Sequence, residues 1–276
     1  MPSLITMIIV LFVVWQQSVQ PHETPNNVNT VEQCAQLLTQ PYVSDSQGLP
    51  LRFTLVSWNI YKAEHPQLLP DLKELAEKAN ILVLQESYDD PHINALKPYA
   101  SFAPGYRSYR QQTGLSVLSD WQPQLNCRFH QREPWLRTPK ASSVSRYPIE
   151  SGGSLLVVNM HGINFTLGVN DYQQQLKQLT DLIALHQGPV IFAGDLNTWS
   201  NKRAQLIDRE LTKLSLEKVD FTPDHRTTVF GLALDHVWLR GVNIESALTL
   251  ERQSSDHNPL LVSLRITDIH TADDTH

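Results

Sequence analysis

Residues 190–197 read Val-Ile-Phe-Ala-Gly-Asp-Leu-Asn, a short apolar run that ends in a carboxylate and an amide side chain. Four consecutive apolar residues before a glycine predict a strand that is covered on both faces. Polar groups at the end of such a strand lie at one edge of the sheet, where α/β proteins commonly place their sites. Asp195 and Asn197 are therefore candidate functional residues, although either residue alone is also typical of a turn.

The same pattern of an apolar strand with a polar residue at one end recurs along the chain. We predict further strands at residues 52–58, 81–85, 115–119, 154–160, 235–239 and 260–265, and helices at residues 31–38, 68–78 and 171–186. Several strands, such as residues 155–158, are apolar on both faces, which is typical of the middle of a layered α/β structure. The polar residues at the strand ends are Asn59, Glu86, His161, Asp195, Asn197, Asp235, Asp256 and His257.

These side-chain types favour one kind of chemistry. Glu86, Asn59 and Asp256 carry hard oxygen donors of the kind that hold Mg²⁺ or Mn²⁺. The chain has two cysteines and no His-x-x-x-His pair, which argues against a zinc site. It contains neither a P-loop motif nor a Gly-x-Ser-x-Gly elbow, which excludes P-loop nucleotide hydrolysis and argues against an α/β-hydrolase. Carboxylates and imidazoles at one sheet edge favour metal-assisted hydrolysis of a phosphoester.

Composition sets the domain organisation. The 276 residues suffice for one large domain with short appendages, and the formal charge of −6 disfavours a general nucleic-acid coat protein. We expect an apolar N-terminal segment at residues 1–20, a polar linker at 21–50, a catalytic domain at 51–266 and an acidic tail at 267–276. Cys34 and Cys127 could form one disulfide, and nothing in the sequence favours it.

The apolar run at residues 4–15 bears on the location of the protein. It is shorter than the 20 or so residues that span a bilayer as a helix, and no basic residue precedes it as in a secretory signal. Because soluble domains rarely expose such a run, it favours an exported or loosely membrane-tethered protein of the cell envelope. A cytoplasmic location is the alternative.

Six motifs, taken in order, resemble those of the endonuclease/exonuclease/phosphatase superfamily, which includes DNase I, abasic-site endonucleases, neutral sphingomyelinases and inositol polyphosphate 5-phosphatases. They are Trp58-Asn59, Gln85-Glu86, Asn159-Met160-His161, Gly194-Asp195-Leu196-Asn197, Leu234-Asp235-His236 and Ser255-Asp256-His257. The stretches at residues 58–62, 164–169 and 255–261 are more narrowly similar to the bacterial YafD group.

The resemblance implies a fold and a metal. The fold would be DNase I-like, a four-layer α/β/β/α sandwich of two packed mixed sheets with outer helices. Glu86 would be the main ligand of Mg²⁺ or Mn²⁺, with Asn59 beside it and Asp256 contributing directly or through water.

The resemblance also implies a catalytic role for five residues. Asp195 would orient or deprotonate the attacking water, and Asn197 would help to position water and phosphate. His257, held in its tautomer by Asp235, would stabilise the charge that develops at phosphorus. His161 would contact a non-bridging phosphate oxygen. Because abasic-site endonucleases carry Tyr and Asn-Gly where this chain has the His161 motif, an abasic-site repair role is disfavoured.

The substrate is less well specified by the sequence. Residues 128–146 hold five basic residues against one acid, which indicates either a solvated loop or a cationic wall that receives a phosphodiester. From this stretch and from the residue that follows the Asp195 motif, we expect Arg146, Lys140 and Trp199 to bind substrate. The first interpretation is a metal-dependent phosphodiesterase or nuclease that acts as a monomer without a protein partner. The alternatives are a phosphatase or sphingomyelinase-like enzyme on a lipid head group or small phosphate ester, and a non-catalytic binding scaffold.

Overall fold

The computed structural model describes residues 26–41, 48–107, 109, 111–134, 138–164, 166 and 168–267. The expected segment at residues 1–20 and the expected tail after residue 267 lie outside the described residues. The strands are β1 (Asn26–Val28), β2 (Arg52–Asn59), β3 (Ile81–Tyr88), β4 (Tyr99–Arg107), β5 (Gln112–Ser119), β6 (Leu125–Arg132), β7 (Pro139–Pro148), β8 (Ser154–Met160), β9 (Val190–Asp195), β10 (Glu217–Lys218), β11 (Thr228–Val229), β12 (Leu232–Ala233), β13 (Asp235–Arg240), β14 (Val242–Thr249) and β15 (Leu260–Ile266). The helices are α1 (Val31–Leu38), α2 (Leu68–Lys78), α3 (Pro91–Asn94), α4 (Asn170–Ala184) and α5 (Asn201–Thr212).

Two mixed sheets form the centre of the molecule. The larger sheet has the strand order β1-β6-β7-β8-β9-β13-β10, and the smaller has the order β14-β15-β2-β3-β5-β4. Each sheet contains one parallel pair near its middle, β8–β9 in the larger and β2–β3 in the smaller. Strands β11 and β12 form a separate hairpin.

The central strands are apolar on both faces, as predicted, because both faces of each sheet are covered. In β8, Leu155 and Val157 belong to the core between the sheets, together with Leu55 and Val83 of the smaller sheet. The alternate residue Leu156 belongs to a second core on the outer face of the larger sheet. Because side chains alternate along a strand, successive residues of β8 pack into two different cores.

Helices cover the outer faces of both sheets. Leu176 and Leu179 of α4 and Leu206 of α5 pack on the larger sheet, in a cluster that also includes α1. Leu72 and Leu75 of α2 pack on the smaller sheet. The molecule is therefore a four-layer α/β/β/α sandwich, which confirms the fold class expected from the sequence.

The chain before residue 51 differs from the expected linker. Strand β1 pairs in parallel with β6, and α1 contributes Cys34 and Leu38 to the core on the outer face of the larger sheet. A disulfide joins Cys34 to Cys127 on β6. Residues 26–41 are thus part of the sandwich. Disulfides persist mainly in oxidising compartments, so this disulfide favours the cell-envelope location, which stays a prediction. Among the described residues, no helix is long and apolar enough to span a membrane.

Candidate active site

The predicted strand-end residues meet at one edge of the sandwich. Asn59 is the last residue of β2, and Asp195 is the last residue of β9. Asp235 opens β13, but because β13 runs antiparallel to β9 the two aspartates are direct neighbours in register. His257 lies in the loop that leads into β15. The two sheets therefore bring their polar ends together in one place.

Asp195 is the centre of the cluster, and it is 2% exposed. Its Oδ2 accepts a hydrogen bond from Asn59 Nδ2 at 3.0 Å, across from the other sheet. The same oxygen lies 3.4 Å from His161 Nε2 and 4.0 Å from His257 Nε2. Its Oδ1 accepts a hydrogen bond from the backbone N–H of Asn197 at 3.0 Å. Asp195 thus joins four residues that the sequence placed in the site separately.

The surroundings of Asp195 favour its charged form. Burial by itself raises the pKa of this carboxyl group, but its contact with His161 and the positive charges of His257 and Lys140 outweigh that cost. The pKa of Asp195 consequently lies well below its ordinary value. Asp195 is therefore a carboxylate that can hold and orient a water molecule.

Asp235 and His257 form a closely paired acid and imidazole. His257 Nδ1 and Asp235 Oδ2 are 2.7 Å apart, which fixes the proton on Nδ1 and turns Nε2 toward Asp195. Burial alone lowers the pKa of His257, but the charges of Asp235 and Asp195 and the hydrogen bond to Asp235 raise it to about 10. The backbone carbonyl of His257 accepts a hydrogen bond from Trp58 Nε1 at 2.8 Å, which holds the loop against β2. The result is an imidazolium that faces the centre of the site.

Asn197 has left-handed backbone geometry, with φ of 50°. Its side-chain Nδ2 donates to the carbonyl of Gly162 at 3.0 Å and ties the loop after β9 to the loop after β8. Only glycine fits at position 162, because a Cβ atom there would lie 2.6 Å from the carbonyl oxygen of Leu196. The neighbouring His161 carbonyl accepts a hydrogen bond from Gln175 of α4. These contacts fix the positions of His161 and Asn197 relative to Asp195.

Glu86 lies on an irregular stretch of β3. The register with β5 shifts between Leu84 and Ser87, and Glu86 itself has φ of 50°. Such bulges re-aim a side chain, and they are common beside active sites. The Glu86 side chain is 19% exposed, and its Oε2 is buried without a hydrogen-bond partner. Its charged neighbours are more distant, with Lys62 Nζ at 3.7 Å and Lys140 Nζ at 3.9 Å.

Lys140 and His161 are in direct contact beside Asp195. Lys140 Nζ lies 2.7 Å from His161 Nε2, and the same nitrogen lies 3.4 Å from Asp195 Oδ2. His161 Nε2 is also 3.9 Å from Glu86 Oε1, so this histidine stands between the two carboxylates of the site. His257, by contrast, is paired with Asp235. The sequence places both histidines in the site but does not separate these two sets of partners.

The three expected metal ligands differ in how well their surroundings suit a cation. Glu86 fits a cation, because a buried carboxylate oxygen without a partner is costly to leave unpaired. The Asn59 Oδ1 atom accepts from the backbone N–H of Tyr61 and keeps one further lone pair. Asp256 is exposed, and its carboxylate is 3.4 Å from Ser255 Oγ. Among the described residues, no three His, Cys, Asp or Glu side chains are gathered closely enough to hold a metal as they stand.

The basic stretch at residues 128–146 does not present all of its side chains to one surface. Arg146 is buried and donates to the backbone carbonyls of Leu37 and Gln40, so its guanidinium supports the end of α1. These contacts give no support to the predicted role of Arg146 in substrate binding. In the sequence Arg146 belongs to a basic stretch. Its hydrogen-bond partners are backbone atoms about 100 residues earlier in the chain, so the sequence does not reveal its structural role. Of the predicted substrate-binding residues, Lys140 does line a cavity of about 290 Å³ together with Glu86 and His161.

Trp199 takes a position that differs from the expected stacking surface. Its Nε1 donates to Asn164 Oδ1 at 2.9 Å, and its ring lies 4.5 Å from the guanidinium of Arg203. It does not line the cavity beside Glu86 and His161. These contacts are those of packing, and the substrate-binding role of Trp199 stays a prediction.

Lys62 is a site residue that was not among those predicted from the sequence. The residues Tyr61, Lys62 and Ala63 form a turn in which all three have left-handed backbone geometry, with φ of 45°, 56° and 50°. Left-handed geometry costs roughly 1–2 kcal/mol for each residue other than glycine. Because Tyr, Lys and Ala do not favour this geometry, the sequence gives no sign of the turn. We call residues 61–63 the left-handed turn. It brings Lys62 Nζ to Glu86.

Comparisons with known proteins agree with this architecture. Residues 56–257 match the model of the Endonuclease/Exonuclease/phosphatase family. A UPF0294 protein of Vibrio cholerae is 41% identical over 232 residues, which are 82% of each chain. A UPF0294 protein of Yersinia enterocolitica is 39% identical over 226 residues, 79% of this chain and 87% of that one. The human Nocturnin catalytic domain superposes with a TM-score of 0.62 at 19% identity, over 80% of this chain and 96% of that one, and shares the fold.

Proposed function

The chain belongs to the endonuclease/exonuclease/phosphatase family and to the UPF0294 proteins, the YafD group expected from its motifs, and from this premise we propose that it is a divalent-metal-dependent phosphodiesterase. The observation that carries the proposal is the position of Asp195 Oδ2, 4.0 Å from His257 Nε2 and 3.4 Å from His161 Nε2. An anionic carboxylate, a charged imidazole and a second imidazole thus face the same small volume.

These groups divide the work of hydrolysis. Asp195 is held by hydrogen bonds to Asn59 and Asn197, so its carboxylate is pre-positioned to orient a water molecule and to take its proton. His257 is kept charged by Asp235, and an imidazolium at that point stabilises the negative charge that develops on the phosphoryl oxygens. His161 and Lys140 supply a further polar contact for a non-bridging oxygen.

We assign the metal, Mg²⁺ or Mn²⁺, to Glu86, with Asn59 and Asp256 as further oxygen donors. The buried Glu86 Oε2 without a partner supports this assignment. When bound, a divalent cation would offset the charge of the phosphoryl group and polarise it. The proposal includes no protein partner, and it treats the chain as a monomer.

The geometry also supports a phosphatase as a second candidate. Lys62 and Lys140 both approach Glu86 to within 4 Å, with distances of 3.7 and 3.9 Å. Two ammonium groups beside a cation suit the dianion of a phosphomonoester better than the single charge of a diester. A nucleic acid, a lipid head group and a small phosphate ester all remain substrates to test.

The first experiment is hydrolysis of bis-p-nitrophenyl phosphate beside p-nitrophenyl phosphate, in EDTA and in Mg²⁺ or Mn²⁺. We expect metal-dependent release from the diester, which is lost in His257→Ala and retained in the control His130→Ala, an exposed residue on β6. Full activity in EDTA would remove the metal from the proposal. Turnover of the monoester alone would favour the phosphatase, and no turnover of either substrate would favour a binding scaffold.

A further inference from the structure

The left-handed turn is unusual because three consecutive residues other than glycine share its geometry, whereas such residues normally occur singly. The surroundings hold it in place. The backbone N–H of Tyr61 donates to Asn59 Oδ1 at 3.1 Å, and that of Ala63 donates to the Ile60 carbonyl at 2.9 Å. Strained backbone of this kind concentrates at functional sites, so the residue that the turn presents is a candidate for a function.

The turn presents Lys62 to the part of the site that lacks a partner. Lys62 Nζ lies 3.7 Å from Glu86 Oε2, the buried oxygen without a hydrogen bond. The ammonium also lies 4.9 Å from the centre of the Tyr61 ring. The Lys62 side chain is 40% exposed, and no hydrogen bond to its Nζ occurs within the described part of the chain. Its three donors are therefore free to bind a group that enters from solvent.

Lys62 and Lys140 stand on opposite sides of Glu86. Lys140 Nζ approaches the other carboxylate oxygen at 3.9 Å and already has His161 Nε2 as a partner at 2.7 Å. Both lysines line the same cavity of about 290 Å³. An anionic group that enters this cavity would thus meet two ammonium groups. Of the two, Lys62 has no close hydrogen-bond partner among the described residues, whereas Lys140 has His161.

We propose that Lys62 is a phosphate-binding residue of this site, presented by the left-handed turn to an oxygen of the phosphoryl group. The inference rests on the proposed function, because it takes the phosphoryl group to lie next to Glu86. It also predicts an effect on metal binding. A cation on Glu86 and the ammonium of Lys62 repel each other, so Lys62 opposes the metal while it favours the phosphate.

These opposite signs define the experiment. We compare the full-length chain with Lys62→Met and with the control Lys78→Met, whose lysine is paired with Glu74 at 2.6 Å on α2. Calorimetric titration measures Mn²⁺ binding, and inorganic phosphate is then titrated into the Mn²⁺-loaded protein. For Lys62→Met we expect phosphate affinity to fall about tenfold and Mn²⁺ affinity to rise several-fold. The control should change neither affinity.

Two results would overturn the inference, and a second variant keeps it testable. Lys62→Arg retains the charge and should keep phosphate affinity within about threefold of wild type. Equal phosphate binding by wild type and Lys62→Met overturns the role of Lys62, as does equal loss in Lys62→Arg and Lys62→Met. If the wild-type protein binds Mn²⁺ but no phosphate, the proposed function fails first and the inference fails with it.

Discussion

The two carboxylates of the site, Asp195 and Glu86, have opposite surroundings. Asp195 is 2% exposed, and both of its oxygens accept hydrogen bonds, from Asn59 Nδ2 and from the backbone of Asn197. Glu86 is 19% exposed, and one of its oxygens is buried without a partner. Its nearest cations stand 3.7–3.9 Å away, too far for hydrogen bonds.

The contrast teaches how one site can hold two carboxylates for two purposes. The protein itself satisfies Asp195, so the position and charge of that group are fixed before any substrate arrives. Glu86 is left without a partner for its buried oxygen, which lowers the stability of the folded protein. A cation that binds there from solution would restore that stability. Removing each carboxylate should therefore have different consequences for activity, stability and metal binding.

The largest effect is expected from Asp195→Asn. The substitution turns one carboxylate oxygen into an amide nitrogen, which cannot accept the hydrogen bond that reaches it from Asn59 or Asn197. The amide also cannot take a proton from water, so turnover of bis-p-nitrophenyl phosphate should fall about 1000-fold. The free energy of unfolding, measured in urea, should fall by about 1–3 kcal/mol, because one hydrogen bond is lost and the other no longer goes to a charge. A variant with near-normal turnover would contradict the assignment of Asp195 to the water.

A smaller effect is expected from Glu86→Gln. Loss of the carboxylate should weaken Mn²⁺ binding, and it should lower turnover about 100-fold at a fixed, subsaturating metal concentration. The free energy of unfolding without metal should not fall below that of wild type, because the substitution removes a charge with one buried oxygen that has no hydrogen bond. If Glu86→Gln destabilised the metal-free protein as much as Asp195→Asn, the contrast between the two carboxylates would be wrong.

The third effect concerns pH; it falls on stability and not on turnover, and it sets the pH range in which the two variants can be compared. Burial, with a contribution from the charge of Arg240, lowers the pKa of His186 to about 4, against about 6.5 for an unfolded histidine. Between these values the unfolded chain binds the proton more readily, so stability present above pH 6.5 is lost as the pH falls toward 4. We expect a slope of about 1.4 kcal/mol per pH unit from this one proton.

Urea unfolding at several pH values checks that slope. His186→Gln, which can still donate to the Pro189 carbonyl, should flatten the loss of stability between pH 6.5 and 4. The control His130→Gln, at an exposed position on β6, should leave the slope unchanged. An unchanged slope in His186→Gln would show that another group causes the acid instability. The carboxylate variants are best compared above pH 6.5.

Much of the fold could be predicted from local patterns. The strand at residues 154–160 and the helices at residues 31–38 and 68–78 have the predicted bounds, because burial on both faces or on one helical face leaves a direct pattern in the sequence. Strands β4, β6, β7 and β14, each of eight residues or more, were not predicted. Their alternation is irregular, and β6 and β7 carry charged residues whose partners are distant in the chain.

The site shows the same division. The strand-end pattern placed Asp195, Asn59 and His161 in the site, and the structure brings them within hydrogen-bonding distance or close to it. Arg146 and Lys140 belong to one basic stretch, yet one supports α1 and the other lines the cavity beside Glu86. Their facing directions follow from the pairing of β7 with its neighbours, which the basic stretch alone does not reveal.

The sequence by itself determined the α/β class and the residue types that meet at the sheet edge, because strand periodicity is a local property of the chain. The sandwich and the family followed from the resemblance of its ordered motifs to a known family. Only the tertiary structure decided which carboxylate is satisfied and which is left for a cation, since that depends on atoms from both sheets. The same holds for the Cys34–Cys127 disulfide and for Lys62, whose position depends on a strained turn that the packing around it holds in place.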